Sequence, residues 1–306
     1  MIKLFYSKDW IDYELLDTGE GEKLERFGPY AFVRPYEDAV WPKALTKEVK
    51  EMWANADGKF WSSKVGAKAG WKMMSKGIFD KDKKWEMEYK GIKFLASPTP
   101  FRHLGFFPEQ ASHFDFIETK IKEAKSARGG QVKFLNLFGY TGVASLFALR
   151  AGAEVTHLDA SKQTLDWAKE NQKLNTELVE APMRVIEDDA IKFLEREIKR
   201  GNKYDAIIMD PPKFGRGPKG EVWKIEEMLP KLLSLVQKVL SDKPLFVILT
   251  SYAIDSSSLP LGYALEEMMK NFRGNIEAGE LCVLEKSNNR IIPLANTAVW
   301  GADMIK

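Results

Sequence analysis

From residue 132 onward, short apolar runs typical of β-strands alternate with stretches that have helical spacing. The strand-like runs are Val132–Phe138, Glu154–Leu158, Met183–Ile186, Tyr204–Met209 and Leu245–Thr250. The helical stretches between them are Val143–Ala151, Lys162–Leu174, Ala190–Lys199 and Met228–Leu240. Strands that alternate with helices are joined by right-handed crossovers, which place the strands parallel in one sheet. The alternation therefore predicts a doubly wound α/β domain.

The C-terminal segment breaks this alternation. Leu281–Glu285 and Arg290–Trp300 flank the polar turn Lys286–Asn289, which predicts an antiparallel hairpin that closes one edge of the sheet. At the other end of the domain, Glu109–Ala127 has the spacing of an amphipathic helix and precedes the first strand. We therefore predict a seven-stranded, mostly parallel sheet with a C-terminal antiparallel hairpin.

The first hundred residues have a different pattern, in which short alternating runs are broken by turns. Trp85–Tyr89 and Ile92–Leu95 flank Lys90-Gly91, a dipeptide suited to a tight hairpin turn. We predict a small hairpin-rich α+β domain at residues 1–104, with a possible role in substrate recognition, and the α/β domain at 105–306. Residues 58–79 carry five lysines and no acid, which is consistent with a nucleic-acid-binding loop or with a solvated flexible loop.

Composition excludes several classes of site. The one cysteine, Cys282, excludes an intramolecular disulfide and a multi-cysteine metal centre, and three scattered histidines predict no metal cluster. A hard cation bound by carboxylates stays open as an alternative. The start of the chain has no long apolar segment, and no apolar run reaches the about 20 residues of a membrane span. We expect a cytoplasmic protein. The net charge of +2 indicates little about partners.

The first predicted strand runs into Gly139-Tyr140-Thr141-Gly142 and then directly into a helix. In a doubly wound sheet, ligands bind at the carboxyl ends of the strands, where the strand order reverses. The glycines lack the Cβ atoms that would keep a ligand from the backbone. The second strand ends at Asp159, where a carboxylate accepts hydrogen bonds from a ribose diol. Alternatively Asp159 caps the next helix, unless Ser161 does so.

The third strand ends in Asp188-Asp189-Ala190. A carboxylate and a backbone N–H at this place suit an adenine amino group and ring nitrogen, although one aspartate could instead cap the helix. A nicotinamide dehydrogenase would need Gly-x-Gly-x-x-Gly for its pyrophosphate, and Phe138-Gly139-Tyr140-Thr141-Gly142-Val143 lacks one of those glycines. S-adenosylmethionine has no pyrophosphate, so a site that binds it does not need the missing glycine.

The most specific motif, Asp210-Pro211-Pro212-Lys213-Phe214, follows the fourth strand. Prolines fix the backbone and present carbonyls without a competing N–H, and the aspartate accepts a hydrogen bond from a base edge. Phe214 offers a face for stacking, which is how flipped bases are held. The following loop has cations suited to phosphates, and we predict Lys213, Arg216 and Lys219 as substrate-binding. The alternative is that the motif is only a stiff turn.

Together, these motifs resemble the bacterial large-subunit ribosomal RNA methyltransferase family, in the branch of cytosine-C5 and guanine-N7 enzymes. The resemblance covers about residues 85–300 and includes Gly105–Gln110 upstream. It implies a Rossmann-like class I methyltransferase fold in which 105–306 is the catalytic domain that binds S-adenosylmethionine. The cofactor-binding residues that we predict are Gln110, Asn136, Phe138, Gly139, Tyr140, Thr141, Gly142, Asp159, Ala160, Ser161, Asp188, Asp189, Ala190 and Asp210.

One difference from the family bears on which atom of the base is methylated. Cytosine-C5 enzymes attack the ring with a thiolate, and no cysteine stands beside Asp210 or in Leu249–Ile254, where related enzymes carry one. Cys282 lies in the predicted edge hairpin, where we expect a buried small hydrophobe. We therefore predict methyl transfer to a nucleobase nitrogen in ribosomal RNA, with Asp210, Pro211, Pro212 and Phe214 as the catalytic set. The alternatives are a protein or small-molecule acceptor, and a cofactor- and RNA-binding protein without turnover.

Overall fold

The computed structural model describes residues 2–61, 69–74, 83–252 and 257–303. The strands are β1 (Lys3–Phe5), β2 (Tyr13–Gly19), β3 (Glu22–Phe27), β4 (Tyr30–Pro35), β5 (Gly58–Trp61), β6 (Gly70–Met73), β7 (Trp85–Tyr89), β8 (Ile92–Ala96), β9 (Lys133–Leu137), β10 (Glu154–Asp159), β11 (Met183–Glu187), β12 (Ala206–Met209), β13 (Phe214–Arg216), β14 (Val222–Lys224), β15 (Phe246–Ser251), β16 (Gly274–Leu284) and β17 (Ile291–Ala302). The α-helices are α1 (Lys47–Ala54), α2 (Ala111–Arg128), α3 (Val143–Arg150), α4 (Lys162–Leu174), α5 (Ala190–Arg200), α6 (Ile225–Val239) and α7 (Leu259–Met269).

The chain forms two compact units. The larger contains Met1–Phe5, Ser112–Leu281 and Leu294–Lys306, and the smaller contains Tyr6–Ala111 and Cys282–Pro293. This division differs from the predicted boundary between 104 and 105. The reason is that the ring of Phe106 packs against Trp10, Phe27 and Phe94, all within the smaller unit. The segment around Phe106 therefore belongs to the smaller unit.

The larger unit is built on an eight-stranded sheet with the order β1-β16-β17-β15-β12-β9-β10-β11. The five strands from β15 to β11 are parallel, and β17 runs antiparallel to β15. The predicted α/β fold with a C-terminal hairpin is therefore confirmed. The eighth strand, β1, pairs in parallel with β16; at three residues it is too short to produce a periodic pattern.

The register of the central strands aligns their carboxyl ends. Strand β9 lies between β12 and β10, and Leu137 pairs with both Met209 and Leu158. Asp159, at the end of β10, pairs with Glu187 of β11. The strand order reverses at β9, so the segments that follow these strands meet at the edge where doubly wound sheets bind ligands.

Helices pack on the sheet through continuous apolar contacts. Buried residues of β9 and β12 form one core with α5, α6 and α7, in which Leu135, Ile207, Phe193 and Val236 are among the members. Strands buried on both faces explain why their sequences are apolar runs and not alternating patterns. Of the helices in the described ranges, none has the length and apolar character needed to cross a bilayer.

The smaller unit contains the five-stranded sheet β2-β3-β4-β5-β6 and the hairpin β7-β8. Lys90 and Gly91 have φ of 47° and 82°, the left-handed pair of a tight hairpin turn. The lysine-rich stretch 58–79 is not wholly a loop, because β5 and β6 pair antiparallel within it; its residues 62–68 and 75–79 lie outside the described ones. Cys282 is buried, as expected.

Candidate active site

The loop between β9 and α3 has an unusual backbone. Phe138, Tyr140 and Gly142 have φ of 60°, 53° and 83°, in the left-handed region. For the two aromatic residues this conformation costs about 1–2 kcal/mol each, so surrounding contacts must hold it. Two of those contacts are backbone hydrogen bonds, from Gly139 N to Leu158 O at 2.9 Å and from Gly142 N to Gly139 O at 3.0 Å.

The two glycines of this loop are required by packing beneath it. A Cβ on Gly139 would lie 2.3 Å from Cε1 of His157, and one on Gly142 would lie 2.9 Å from Cβ of Ala168. Gly142 also needs its positive φ to start α3. The sequence suggested that the glycines clear space for a ligand. The structure shows that Cβ atoms at these positions would also meet His157 and Ala168 of α4.

A buried hydrogen-bond chain supports the loop from below. Asn136 Nδ2 donates to Ser145 Oγ at 3.0 Å, Ser145 Oγ lies 3.0 Å from His157 Nδ1, and His157 Nε2 lies 3.2 Å from the Tyr140 carbonyl oxygen. Because a carbonyl only accepts, His157 carries its proton on Nε2 and its Nδ1 accepts from the Ser145 hydroxyl. Burial lowers the pKa of His157, which keeps the ring neutral.

The side chain of Asn136 is part of this buried hydrogen-bond network. Asn136 was predicted to bind the cofactor, and its side chain is buried and donates to Ser145. Ser145 and His157 were not identified from the sequence. The sequence signal that could have identified this buried polar network is the histidine within the apolar strand β10.

Asp159 connects the loop to the start of α4. Its Oδ2 accepts from Tyr140 N at 2.9 Å, and its Oδ1 accepts from Ser161 N at 2.9 Å and from Thr164 Oγ1 at 3.1 Å. Ser161 is the N-cap of α4, as the sequence suggested, but this does not leave Asp159 without internal partners. A carboxylate has about four acceptor positions, so Oδ2 retains one for a further donor.

The two aspartates after β11 have different partners. Asp189 is the N-cap of α5 and accepts from Lys192 N at 2.9 Å. Asp188 accepts from Asp189 N at 2.9 Å and forms an ion pair with Arg196. Ala190 is the first helical residue, and its N–H has no hydrogen-bond partner within the described ranges. The carboxylate of Asp189 and the N–H of Ala190 therefore lie side by side.

The Asp210-Pro211-Pro212 segment follows β12 and is held by a tryptophan. Trp223 Nε1 donates to the Pro212 carbonyl at 2.6 Å, and its ring centroid lies 5.0 Å from that of Phe138. Trp223 is 4% exposed. The carbonyl of Pro211 accepts no hydrogen bond from any part of the chain that the structure describes. Trp223, which the sequence did not identify as a site residue, therefore contacts both loops.

The other predicted residues occupy varied environments. Lys213, Arg216 and Lys219 are exposed on or beside the hairpin β13-β14, which replaces the predicted loop. Thr141 is buried, and its carbonyl accepts from Asn171 Nδ2 at 2.8 Å. Gln110 is buried in the smaller unit. The described residues include no group of three or more side chains arranged to hold a metal.

The chain is similar over nearly its whole length to the SAM-dependent methyltransferase from Agrobacterium tumefaciens, for which a crystal structure is known. The two share 38% identity with a TM-score of 0.90, and the match covers 98% of this chain and 94% of that one. The chain belongs to the S-adenosylmethionine (SAM)-dependent methyltransferases. The methyltransferase activity and the S-adenosylmethionine cofactor that the motifs implied are thereby confirmed.

Further matches cover about half of this methyltransferase. The family model described as Conserved hypothetical protein 95 matches residues 110–251. Ribosomal RNA large subunit methyltransferase K/L of Pseudoalteromonas atlantica is 31% identical over 53% of this chain and 22% of its own length. Ribosomal RNA large subunit methyltransferase K of Neisseria meningitidis is 31% identical over 49% of this chain and 41% of its own length. The chain thus spans less than half of these relatives.

Proposed function

We propose that this methyltransferase transfers a methyl group from SAM to a nitrogen of a nucleobase in RNA, with ribosomal RNA as the substrate. The observation that carries the proposal is the pairing of Leu137 with Met209. This register places the left-handed loop after β9 beside Asp210-Pro211-Pro212. A cofactor held by the loop and a base held by Asp210 would therefore be neighbours, and proximity is the main requirement for transfer.

The residues around the loop fit the nucleoside part of SAM. The remaining acceptor position of Asp159 suits a ribose hydroxyl, which donates a hydrogen bond. The Ala190 N–H suits a ring nitrogen of adenine, and the carboxylate of Asp189 suits the adenine amino group. SAM supplies a methyl group already activated by a positively charged sulfur. The nitrogen lone pair would take the methyl group as its bond to sulfur breaks and S-adenosylhomocysteine leaves, and the proton of an amino acceptor would pass to the Asp210 carboxylate. The chain has otherwise to bind and orient the reactants and to exclude bulk water.

The acceptor side of the site suits a base with an amino group. Asp210 and the Pro211 carbonyl are consecutive acceptors, and Phe214 is 55% exposed. A base whose amino group donates to these acceptors would be oriented by hydrogen bonds, and the exposed ring of Phe214 offers a stacking face to the RNA that carries this base. Cys282, the one cysteine of the chain, is 1% exposed in the smaller unit, which argues against a thiolate step. The relatives named as ribosomal RNA methyltransferases support RNA as the substrate class.

The test is transfer of tritium from labelled SAM into RNA purified from a strain that lacks the protein, followed by digestion to nucleosides. We expect label in one nitrogen-methylated base, and no transfer by Asp210→Ala while RNA binding persists. Label on C5 of cytosine would contradict the nitrogen acceptor. Binding of SAM without label in RNA would point to a protein or small-molecule acceptor, and binding of both without any transfer would indicate a non-catalytic protein.

A further inference from the structure

The hairpin β13-β14 has two faces of opposite character. In its register Phe214 pairs with Lys224, Gly215 with Trp223, and Arg216 with Val222. Side chains alternate along a strand, so Gly215 and Trp223 lie on one face. The other four residues lie on the opposite face, which we call the outer face. All four are exposed, whereas Trp223 is buried.

The inner face is anchored to the Asp210-Pro211-Pro212 segment. Trp223 donates to the Pro212 carbonyl, and a Cβ on Gly215 would lie 3.4 Å from Pro212 Cγ. At the base of the hairpin, Ile225 N donates to Lys213 O at 3.1 Å. The hairpin is thus held in a defined position next to the segment that would hold the target base.

The outer face combines apolar and cationic groups. Phe214 and Val222 are 55% and 50% exposed and occupy one diagonal, while Arg216 and Lys224 occupy the other. Lys224 pairs with Glu227 at 2.9 Å, and no ion pair of Arg216 occurs in the described ranges. Keeping two large apolar side chains in water is unfavourable, so a partner that covers them is favoured.

Glu221, the acidic residue of the hairpin, is directed toward α5 and not toward the outer face. Glu221 pairs with Lys192 of α5, and its Oε2 accepts from Lys219 N at 2.9 Å. These hydrogen bonds, that of Lys192 foremost, lower the pKa of Glu221 to about 2, so it stays ionised and paired. Residues 213–224 otherwise carry Lys213, Arg216, Lys219 and Lys224. The segment therefore attracts anions.

We propose that the outer face of β13-β14 binds the single-stranded RNA segment that adjoins the target base. Bases stack on aromatic side chains only where they are not already stacked in a duplex, and cations beside them contact phosphates. Phe214 provides the stacking face, and Arg216 and Lys224 provide the phosphate contacts. This inference rests on the proposed function, because it assigns the substrate's strand state at the same site.

The experiment measures binding of a fluorescently labelled RNA oligonucleotide to the full chain by anisotropy, as a single strand and as a duplex, over a series of salt concentrations. We expect Phe214→Ala to weaken single-strand binding about 10-fold. Arg216→Gln should reduce the slope of log affinity against log salt by about 0.7, the value for one lost phosphate contact. Lys199→Gln, an exposed cation in the last turn of α5, is the matched control and should change neither. Circular dichroism verifies folding.

The outcomes separate this inference from the proposed function. Unchanged single-strand affinity and salt slope in both hairpin variants, or a duplex bound as tightly as the single strand, would overturn the inference even if the wild type methylates RNA. Single-strand binding that depends on Phe214 and Arg216, in a protein that transfers no methyl group to RNA, would support the RNA surface while the proposed function fails.

Discussion

The imidazole of His157 occupies the space where a side chain on Gly139 would be, 2.3 Å from the position of its Cβ. His157 belongs to β10 and Gly139 to the loop after β9, so a residue of one strand determines which residue the neighbouring loop can hold. The same imidazole donates to the Tyr140 carbonyl. The ring of His157 therefore packs under the left-handed loop and supports its conformation.

Replacing Gly139 by alanine should destabilise the protein. The φ of Gly139 is not in the left-handed region, so the effect comes from the clash with His157 and should be about 1–3 kcal/mol. Urea unfolding measures this loss of unfolding free energy. Gly70→Ala is the control, since a Cβ there has one neighbour, Trp61 Nε1 at 4.0 Å. Equal stabilities of the two variants would show that the loop moves aside freely.

The double variant Gly139→Ala/His157→Ala should be more stable than the two single effects added together. Removing the imidazole removes the group that the new methyl would meet, and residues in contact show non-additive free energies of about 0.5–3 kcal/mol. A double-mutant cycle by urea unfolding gives the coupling. Strict additivity would mean that His157 is not what excludes a side chain at position 139.

Asp159→Asn should weaken binding of S-adenosylhomocysteine by at least about 10-fold, as expected for a lost charge-assisted hydrogen bond. The amide nitrogen cannot accept, so one of the donors Tyr140 N and Ser161 N loses its partner. Isothermal calorimetry measures the affinity. Asp166→Asn, which removes an exposed carboxylate paired with Lys162 on α4, is the control and should bind normally. Equal affinities would exclude Asp159 from the cofactor site.

Trp223→Phe should lower kcat about 10-fold with little change in S-adenosylhomocysteine affinity. Phenylalanine keeps a ring beside Phe138 but cannot donate to the Pro212 carbonyl, so the segment that orients the base is loosened. Steady-state kinetics separates kcat from KM, and calorimetry follows the cofactor. A change in KM alone, or a loss of cofactor affinity equal to the loss of rate, would contradict a positioning role.

Stability should fall as the pH drops below about 6.5, in part because of His113. Burial lowers the pKa of His113 to about 3, so between these values the unfolded chain binds a proton that the folded chain does not. From pH 7 to pH 5 this single histidine should cost about 2 kcal/mol of unfolding free energy. His113→Gln should flatten the pH dependence measured by urea unfolding. An equal slope in the variant would place His113 in contact with water.

The local patterns of the sequence were sufficient for the parallel strands and helices of the larger unit. Predicted strand and helix ends mostly agree with the structure to within one or two residues, as for α4 at Lys162–Leu174. Long apolar runs separated by stretches with helical spacing are compatible with few folds other than a parallel α/β sheet. The exceptions in the larger unit are β1, which is short, the hairpin β13-β14, which was predicted as a loop, and β16, which begins at Gly274 and not at Leu281. In the smaller unit, the lysine-rich composition concealed β5 and β6.

The motifs that follow the strands also came from the sequence alone, because the carboxyl ends of parallel strands share one edge. What the tertiary structure decided is how those motifs are held: His157 under Gly139, Asn136 below the loop, and Trp223 between Phe138 and Pro212. These contacts join residues far apart in the chain, and their geometry depends on strand register and side-chain packing. Periodicity reports which face of an element is buried, and carries no information on which side chain it meets there.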